Sequence, residues 1–269
     1  MLDGMIVVSG ATGNIGAELV RVLGEARQAV RPLRRADGED LNDPASLRPA
    51  LQGADGLFLL PGYADMPGLY AEAKAAGVRR VVQLSGSSAA SGDLTNAVSE
   101  YMIRSEEAAR AGGIDWTILR PSAFATNALG WLPQLRQGDE VRLQYPDVAA
   151  SVIDPLDIAR VAAAALTGDG HAGQTYRLTG PQPLRPAEQL AILGAALGRK
   201  LVAVPLRNEE TRAEQLASMP APYADAFWNF YAEGALDESD VTDDVQRATG
   251  TPPRTFAAWC QAHAAEFSA

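Results

Sequence analysis

The stretch that decides the fold is Met5–Glu25, which reads MIVVSGATGNIGAELVRVLGE. Apolar residues that favour a β-strand are followed by glycines and then by apolar residues at the spacing of an amphipathic helix. Gly10, Gly13 and Gly16 let the backbone turn tightly and approach a ligand, and the new helix presents unpaired N–H groups to an anion. The sequence therefore predicts a site for a dinucleotide pyrophosphate rather than a plain strand-to-helix turn.

Composition and charge restrict the class of protein. The chain has 269 residues, of which 47% are hydrophobic, so it can bury a full core. Its 33 acidic and 23 basic residues give a net charge of −10, which disfavours nucleic acid and anionic membranes as direct partners. No apolar run approaches the length of a membrane span and the N-terminus does not resemble a signal peptide, so we predict a cytoplasmic protein.

Thiol and metal chemistry are not expected. The one cysteine, Cys260, lies in a predicted C-terminal helix without a second thiol. His171 and His263 are isolated in the sequence and do not follow a metal-ligand spacing. We therefore predict a protein with no disulfide, no catalytic thiol and no metal site.

A pair of arginines follows the second predicted strand, Ala29–Leu33. In dinucleotide folds an acidic residue at this place accepts a hydrogen bond from the ribose of NAD, whereas guanidinium groups match the 2′-phosphate of NADP. Arg34 and Arg35 occupy the place and no carboxylate does. The sequence therefore favours NADP(H), and solvated charges at a strand end are the alternative.

Apolar strands and helices alternate through the first half of the chain. The predicted strands are Gly56–Leu60, Arg80–Ser85 and Trp116–Leu119, with helices at Met66–Ala76 and Val98–Gly112 between them. Such alternation indicates a parallel sheet covered on both faces. We therefore predict an α/β protein with a Rossmann-like, doubly wound parallel sheet.

The pattern loosens after Arg120-Pro121, which marks the start of a smaller part. The remaining predicted elements are a helix within Ser151–Leu166, a strand at Gln174–Leu178, and helices at Pro186–Leu197 and Arg254–Glu266. We divide the chain into an NAD(P)-binding Rossmann domain of residues 1–130 and a mainly helical, substrate-side subdomain of residues 131–269. Within the second part, about 151–180 are expected to return to the Rossmann core.

Several segments resemble one family. The glycine spacing together with Ala11-Thr12 resembles extended and atypical short-chain dehydrogenase/reductases. Four further segments resemble the NmrA-like atypical branch: Val78–Ser85, Ile114–Asn127, Asp157–Ala159 and Tyr176–Pro181. Two C-terminal segments, Ser218–Pro220 with Tyr223 and Gly250–Phe256, are similar to a group that includes agroclavine-dehydrogenase-like reductases, triphenylmethane reductase and type-2 quinone reductases.

The resemblance implies where the cofactor lies. The backbone of Thr12–Ile15 would contact the pyrophosphate, and the segment that begins at Asp40-Leu41 would border the adenine. Glu39 stands where the family usually has glycine. With the residues already argued from the turn and the arginines, the candidate cofactor-binding residues are Gly10, Thr12, Gly13, Asn14, Ile15, Gly16, Arg34, Arg35, Asp40, Leu41, Leu60, Ser85 and Phe124.

The family's usual proton donor is missing from its expected helix. Its ketone reductases use Tyr-x-x-x-Lys, in which the tyrosine protonates the nascent alkoxide. The match at Tyr70–Lys74 precedes both strands that should flank this helix, so we interpret it as a chance match on a surface helix. In the expected helix Val98 and Met102 occupy the two positions. Quinones, enones and iminium ions accept hydride without such a dyad, because their charge is neutralised or delocalised.

The sequence therefore predicts an NADPH-dependent reductase of planar, electron-poor small molecules. The alternative is a non-catalytic NADP(H)-sensing regulator that acts through a protein partner, and both a monomer and a homodimer remain open. The candidate catalytic residues are Ser85, Tyr63 and Tyr101. The candidate substrate-binding residues are Ser87, Asn127, Trp228 and Tyr231, although the aromatic residues at 223–231 also have the spacing of core contacts.

Overall fold

The computed structural model describes residues 4–267, and eight strands in this part of the chain form two sheets. The strands are β1 (Met5–Val8), β2 (Val30–Pro32), β3 (Ala54–Leu59), β4 (Arg80–Leu84), β5 (Asp115–Pro121), β6 (Glu140–Leu143), β7 (Gln174–Leu178) and β8 (Val202–Pro205). The larger sheet is parallel, in the order β2-β1-β3-β4-β5-β7. The smaller sheet pairs β6 with β8, also in parallel.

Helices connect these strands. They are α1 (Asn14–Glu25), α2 (Arg48–Leu51), α3 (Met66–Ala75), α4 (Ala97–Ala111), α5 (Leu132–Leu135), α6 (Pro155–Thr167), α7 (Pro186–Leu197), α8 (Asn208–Ser218), α9 (Ala221–Phe227), α10 (Asp244–Thr249) and α11 (Phe256–His263). A single π-helical turn, Trp228–Ala232, continues α9. None of the helices within residues 4–267 is both long and apolar enough to cross a membrane.

The apolar residues of the opening stretch explain why the sheet is covered on both faces. Ile6 and Val8 of β1 point into one core, together with the α1 residues Leu19 and Leu23 and much of α6. Val7, between them, points into a second core that contains α3 and part of α4. Because side chains alternate along a strand, one strand supplies both cores. The predicted Rossmann-like, doubly wound fold is confirmed.

The C-terminal part contains elements that the sequence did not reveal, among them helices α8 and α10 and the smaller sheet. Strands β6 and β8 have four residues each, and in β6 only Val141 and Leu143 are buried. Such short strands leave too few alternating positions to stand out as a pattern. By contrast, β7 and α7 have the predicted bounds, and β7 pairs with β5 at the edge of the larger sheet.

The last predicted helix is shorter than expected. Instead of a helix over Arg254–Glu266, α11 ends at His263 and a 3₁₀ turn, Ala264–Phe267, follows. Cys260 in α11 is fully buried, and this burial raises the pKa of its thiol to about 12. The thiol therefore stays protonated near neutral pH, consistent with the structural role that the sequence indicates.

Candidate functional site

The glycine turn after β1 has the geometry of an anion cradle. Gly10 has a φ of +62°, and a Cβ at this position would lie 2.5 Å from Leu60 Cδ1. A Cβ on Gly16 would lie 2.2 Å from the Gly10 carbonyl oxygen. Gly13 caps α1 without a side-chain hydrogen bond. The three glycines therefore let the turn pack closely against the start of α1, whose N–H groups can bind an anion.

A cleft of about 480 Å³ opens beside this turn. It is lined by residues of the turn, of the segment after β2 and of the loop after β3: Gly10, Ala11, Thr12, Leu33, Arg34, Arg35, Ala36, Glu39, Leu41 and Tyr63. Five candidate cofactor residues and one candidate catalytic residue thus come together. Main-chain donors at one end and guanidinium groups at the other fit a dinucleotide phosphate.

Other candidate cofactor residues support the turn or lie outside the cleft. The Asn14 side chain donates to Thr126 Oγ1 over 3.2 Å and so links α1 to the segment after β5. Ile15 is buried in the core beneath the turn. Asp40 is exposed, and its carboxylate accepts the N–H of Asn42 rather than lining the cleft.

The position of Glu39 differs from what the sequence predicts for the cofactor cleft. The sequence suggested that no carboxylate lies at the end of β2, but the chain turns back after Gly38, whose φ is +85°, and brings Glu39 into the cleft. The buried carboxylate accepts the N–H of Arg34 at 2.7 Å and a hydrogen bond from Arg31 at 3.1 Å. A short turn, rather than the strand itself, therefore places a negative charge beside Arg34 and Arg35.

The hydroxyl of Ser85, at the end of β4, forms a hydrogen bond with a buried carboxylate. Its hydroxyl donates to Glu106 Oε1 over 2.7 Å. Glu106 is 1% exposed and also accepts two hydrogen bonds from Arg120, both 2.7 Å, and one from Arg110. The Ser85 proton is thus used inside the protein, which argues against Ser85 as a donor to a substrate carbonyl. The sequence did not reveal this network, because Ser85 at the end of β4 and Arg120 on β5 lie 21 and 14 residues away from Glu106.

The hydrogen bonds around Glu106 are expected to stabilise the folded protein. Burial raises the pKa of Glu106, but the hydrogen bonds from Arg120, Ser85 and Arg110 outweigh it and lower the pKa overall. Glu106→Gln removes the charge that pairs with both arginines, so we expect the free energy of unfolding to fall by about 3 kcal/mol in urea at neutral pH. Since the folded pKa is lowered, this difference should shrink as the pH falls through it.

The neighbouring Glu107 provides the control. It is exposed on the same helix, so Glu107→Gln should change stability by less than about 0.5 kcal/mol. Equal effects of the two substitutions, or a loss in Glu106→Gln that persists unchanged at acid pH, would contradict the role given to the network.

A second buried carboxylate, that of Glu238, forms hydrogen bonds with two candidate substrate residues. Glu238 is 4% exposed and accepts hydrogen bonds from Ser87 Oγ at 2.6 Å and from the Tyr231 hydroxyl at 3.0 Å. The N–H of Ala123 donates to it as well. Burial raises the pKa of Glu238 despite these donors. The sequence missed Glu238, which lies in a polar stretch without periodicity and 151 residues from Ser87.

The remaining candidates lie apart from this carboxylate. The Trp228 indole donates to Glu233 and packs under the Arg212 guanidinium, so it does not join Ser87 and Tyr231. Asn127 is exposed on a 3₁₀ turn, and the backbone of Phe124 bridges to Ile153.

The two phenols proposed as proton donors are both partly buried. Tyr63 lines the cleft, whereas the ring of Tyr101 packs against Gly62 in the loop after β3. Burial raises the pKa of both phenols, which makes each a weaker acid.

The chance match to the catalytic dyad lies in the core. Tyr70 is 1% exposed, not on a surface as the sequence suggested, and its hydroxyl donates to Gln83 Oε1 over 3.0 Å. Met102, on α4, faces the end of β4, where a Cβ on Gly86 would lie 3.4 Å from its methyl group. A thioether thus stands near the strand end to which the family resemblance assigns an ammonium group.

Known proteins are similar to this chain over almost its whole length. The sequence model described as NAD(P)H-binding matches residues 10–169. A (4-alkanoyl-5-oxo-2,5-dihydrofuran-3-yl)methyl phosphate reductase of Streptomyces griseus is 37% identical, over 98% of this chain and 99% of that protein. An NAD(P)H azoreductase of Xenophilus azovorans is 36% identical, over 98% and 100%. A solved NADPH-dependent quinone oxidoreductase of Escherichia coli, complexed with NADPH, has a TM-score of 0.78 at 22% identity, covering 96% of this chain and 99% of that one.

Proposed function

We propose that this chain, which belongs to the NAD(P)H-binding family, lies in the NmrA-like branch of atypical short-chain dehydrogenase/reductases and is an NADPH-dependent reductase of conjugated or electron-poor small molecules. Its named relatives are reductases, and it is an oxidoreductase as predicted. The observation that carries the proposal is the cleft between the Gly10–Gly16 turn and Arg34-Arg35, which fits a phosphorylated dinucleotide.

The residues that would hold the cofactor differ in the part of the cofactor that each would contact. The N–H groups of Thr12, Asn14 and Ile15 suit a pyrophosphate, whereas the Gly13 N–H donates to the Gly10 carbonyl oxygen within the turn. Arg34 and Arg35 suit a 2′-phosphate, and Leu41 supplies an apolar side of the cleft. When bound, NADPH supplies a hydride. The residues after β4 and β5 then form the edge at which an acceptor is oriented, because ligands of parallel α/β sheets bind at the carboxyl ends of the strands.

The substrate class is inferred from the side chains at this edge. Ser85 is occupied by Glu106, and Met102 offers no positive charge to activate a phenol. Tyr145 and Phe227 flank Tyr231 with ring centroids 5.2 and 6.2 Å away, and the ring planes of Phe227 and Tyr231 are nearly parallel. Tyr145 is buried against Tyr231, whereas Phe227 and Tyr231 are partly exposed, and aromatic side chains of this kind suit a planar acceptor. We therefore infer that quinones, enones, imines or iminium ions are reduced in preference to simple ketones.

The experiment is a measurement of steady-state NADPH oxidation by the purified protein. A panel of quinones, enones, cyclic imines and simple ketones is compared, with NADH in parallel and cofactor binding measured separately by calorimetry. We expect turnover with the first three classes and at least about tenfold lower kcat/KM with simple ketones. Tight NADPH binding without any turnover would instead support a cofactor-sensing regulator, and absence of binding would overturn both readings.

A further inference from the structure

Glu238 holds together three segments at the carboxyl edge of the larger sheet. Ser87 follows β4, Ala123 follows β5, and Tyr231 comes from the π-helical turn of the C-terminal part. The Glu238 side chain is buried beneath the partly exposed Ser87 and Tyr231. A carboxyl group that is closed off from solvent but bonded to two hydroxyls at a ligand-binding edge is arranged to pass a proton outward.

We propose that Tyr231 donates the proton that completes the reduction and that Glu238, as a positioning residue, resupplies it. The proposal rests on the reductase function above and adds the source of the proton to it. Neither residue belongs to a Tyr-x-x-x-Lys pair, so the arrangement would replace the missing dyad with a phenol and a carboxyl group from the C-terminal part of the chain.

The protonation state of Glu238 decides which way the Tyr231 hydroxyl points. When Glu238 is ionised, it can only accept, and both hydroxyls donate to it. When Glu238 is protonated, its own O–H can donate to the Tyr231 oxygen, and the phenol proton is then free to turn toward an acceptor. The neutral carboxyl group is therefore the form that can deliver a proton.

Tyr231 is favoured over Ser87 as the donor. A phenol is a much stronger acid than an aliphatic hydroxyl, with an ordinary pKa of about 10. Burial raises the pKa of Tyr231 most, and the charge of Glu238 and its hydrogen bond raise it further. The last two effects vanish once Glu238 is neutral, so protonation of Glu238 makes Tyr231 the better acid.

The ring of Tyr231 is also held in place. Tyr145 packs against it, and the Tyr145 hydroxyl donates to Gln215 over 2.9 Å. Tyr145 has a φ of +44°, a left-handed conformation that residues with side chains seldom adopt and that often marks a functional site. The donor is therefore fixed beside the aromatic side chains that suit a planar acceptor.

Reduction of an enone or a quinone requires one hydride and one proton. The acceptor would take the hydride, with its two electrons, from the reduced nicotinamide, one of whose C–H bonds breaks as it is oxidised. The acceptor would thereby gain a C–H bond, or in a quinone a C–H or O–H bond, and one anionic oxygen. The O–H bond of Tyr231 breaks as that oxygen takes the proton, and the O–H bond of Glu238 breaks as the phenolate oxygen takes its proton. Water then returns one proton to Glu238. An N-alkyl iminium ion becomes a neutral amine on hydride addition alone and needs no proton.

The pH dependence follows from this order. The charged and titratable groups that face Glu238 are Arg177 of β7, which lowers its pKa, and Tyr231, with Tyr145 behind it. Burial outweighs the effect of Arg177. Because the protonated form is competent, kcat for a proton-requiring acceptor should fall as the pH rises through the raised pKa of Glu238.

The test uses three variants of the full-length protein and two acceptors. Tyr231→Phe removes the donor and Glu238→Gln removes the proton source, whereas the control Tyr223→Phe removes an exposed phenol of the same C-terminal part. Menadione requires a proton and an N-methyl-dihydroisoquinolinium salt does not. We expect kcat with menadione to fall about 30-fold in the first two variants and less than threefold in Tyr223→Phe, with the iminium rate and the Kd for NADPH within about twofold of wild type. The alkaline fall in kcat should disappear in Glu238→Gln.

A second readout does not depend on turnover. In infrared spectra recorded over a pH titration, the wild-type protein should show a protonated-carboxyl band that Glu238→Gln lacks and that persists to a higher pH than the band of an ordinary glutamate. Equal slowing of both acceptors, a loss in Tyr223→Phe as large as in Tyr231→Phe, or a Glu238 band that disappears at the pH of an ordinary glutamate would overturn the proposal. A wild-type protein that binds NADPH but reduces neither acceptor would instead overturn the reductase function, even if the carboxyl band is present.

Discussion

Gly16→Ala is expected to weaken NADPH binding by at least about 100-fold. The new Cβ would lie 2.2 Å from the carbonyl oxygen of Gly10 and 2.6 Å from its carbonyl carbon. Both are backbone atoms of the turn, so they cannot move aside without opening the cradle itself. Because the N–H groups of the turn and of α1 must converge on one phosphate, a displacement of the turn removes several contacts together.

Gly24 offers a matched control on the same helix. No atom lies within 4 Å of the Cβ that Gly24→Ala would add, and alanine is the better helix former by about 1 kcal/mol. We expect this variant to bind NADPH like wild type and to unfold at the same or a higher temperature. Calorimetric titration gives the Kd, and thermal unfolding separates loss of binding from loss of fold. NADPH binding by folded Gly16→Ala within threefold of wild type would contradict the cradle.

The parts of this fold that could be predicted are those that short segments determine. The strand and helix of Met5–Glu25 are predicted by their composition and spacing, and α7 is predicted by its apolar residues with Pro186 at its start and Gly198 at its end. The family resemblance extended this to the cofactor. Each of these inferences needs only residues that are neighbours in the sequence.

The parts that could not be predicted depend on residues far apart. Glu39 enters the cleft through a turn, and Glu238 meets Ser87 across 151 residues. The sequence indicates Ser85 as a candidate catalytic residue, because the hydrogen bond from its hydroxyl to Glu106 forms only when α4 packs against β4. Side-chain patterns indicate which residues face the sheet edge, but the hydrogen bonds that use up a hydroxyl are a property of the packed structure.

The two serines after β4 illustrate what that packing adds. Ser85 donates to Glu106, whose pKa is lowered overall by hydrogen bonds from arginine and serine, and Ser87 donates to Glu238, whose pKa is raised by burial. At this edge of the sheet the ionised form of Glu106 and the neutral form of Glu238 are therefore favoured. Such a separation commonly distinguishes a structural or electrostatic role from a proton-transfer role. It supports a stabilising role for Glu106 and a proton reservoir in Glu238.

Replacing Arg34 and Arg35 together with serine should weaken NADPH binding by about 100-fold and NADH binding by less than threefold. Both side chains line the cleft and are exposed, so they are available to a phosphate. A hydrogen bond to a charged group contributes about 1.5–3 kcal/mol, and 1.4 kcal/mol corresponds to a tenfold change in Kd. NADH lacks the 2′-phosphate and therefore serves as the control within each titration.

Glu39→Gln should have the opposite effect, because it removes a negative charge beside the arginines while keeping an oxygen that can accept the Arg34 N–H. We expect NADPH binding to strengthen by about threefold to tenfold and NADH binding to stay nearly constant. The single variants Arg34→Ser and Arg35→Ser then show which guanidinium carries the contact. Equal losses of NADPH and NADH in the double variant would contradict the assignment, since a general loss of binding would mean that the arginines shape the cleft rather than recognise the phosphate.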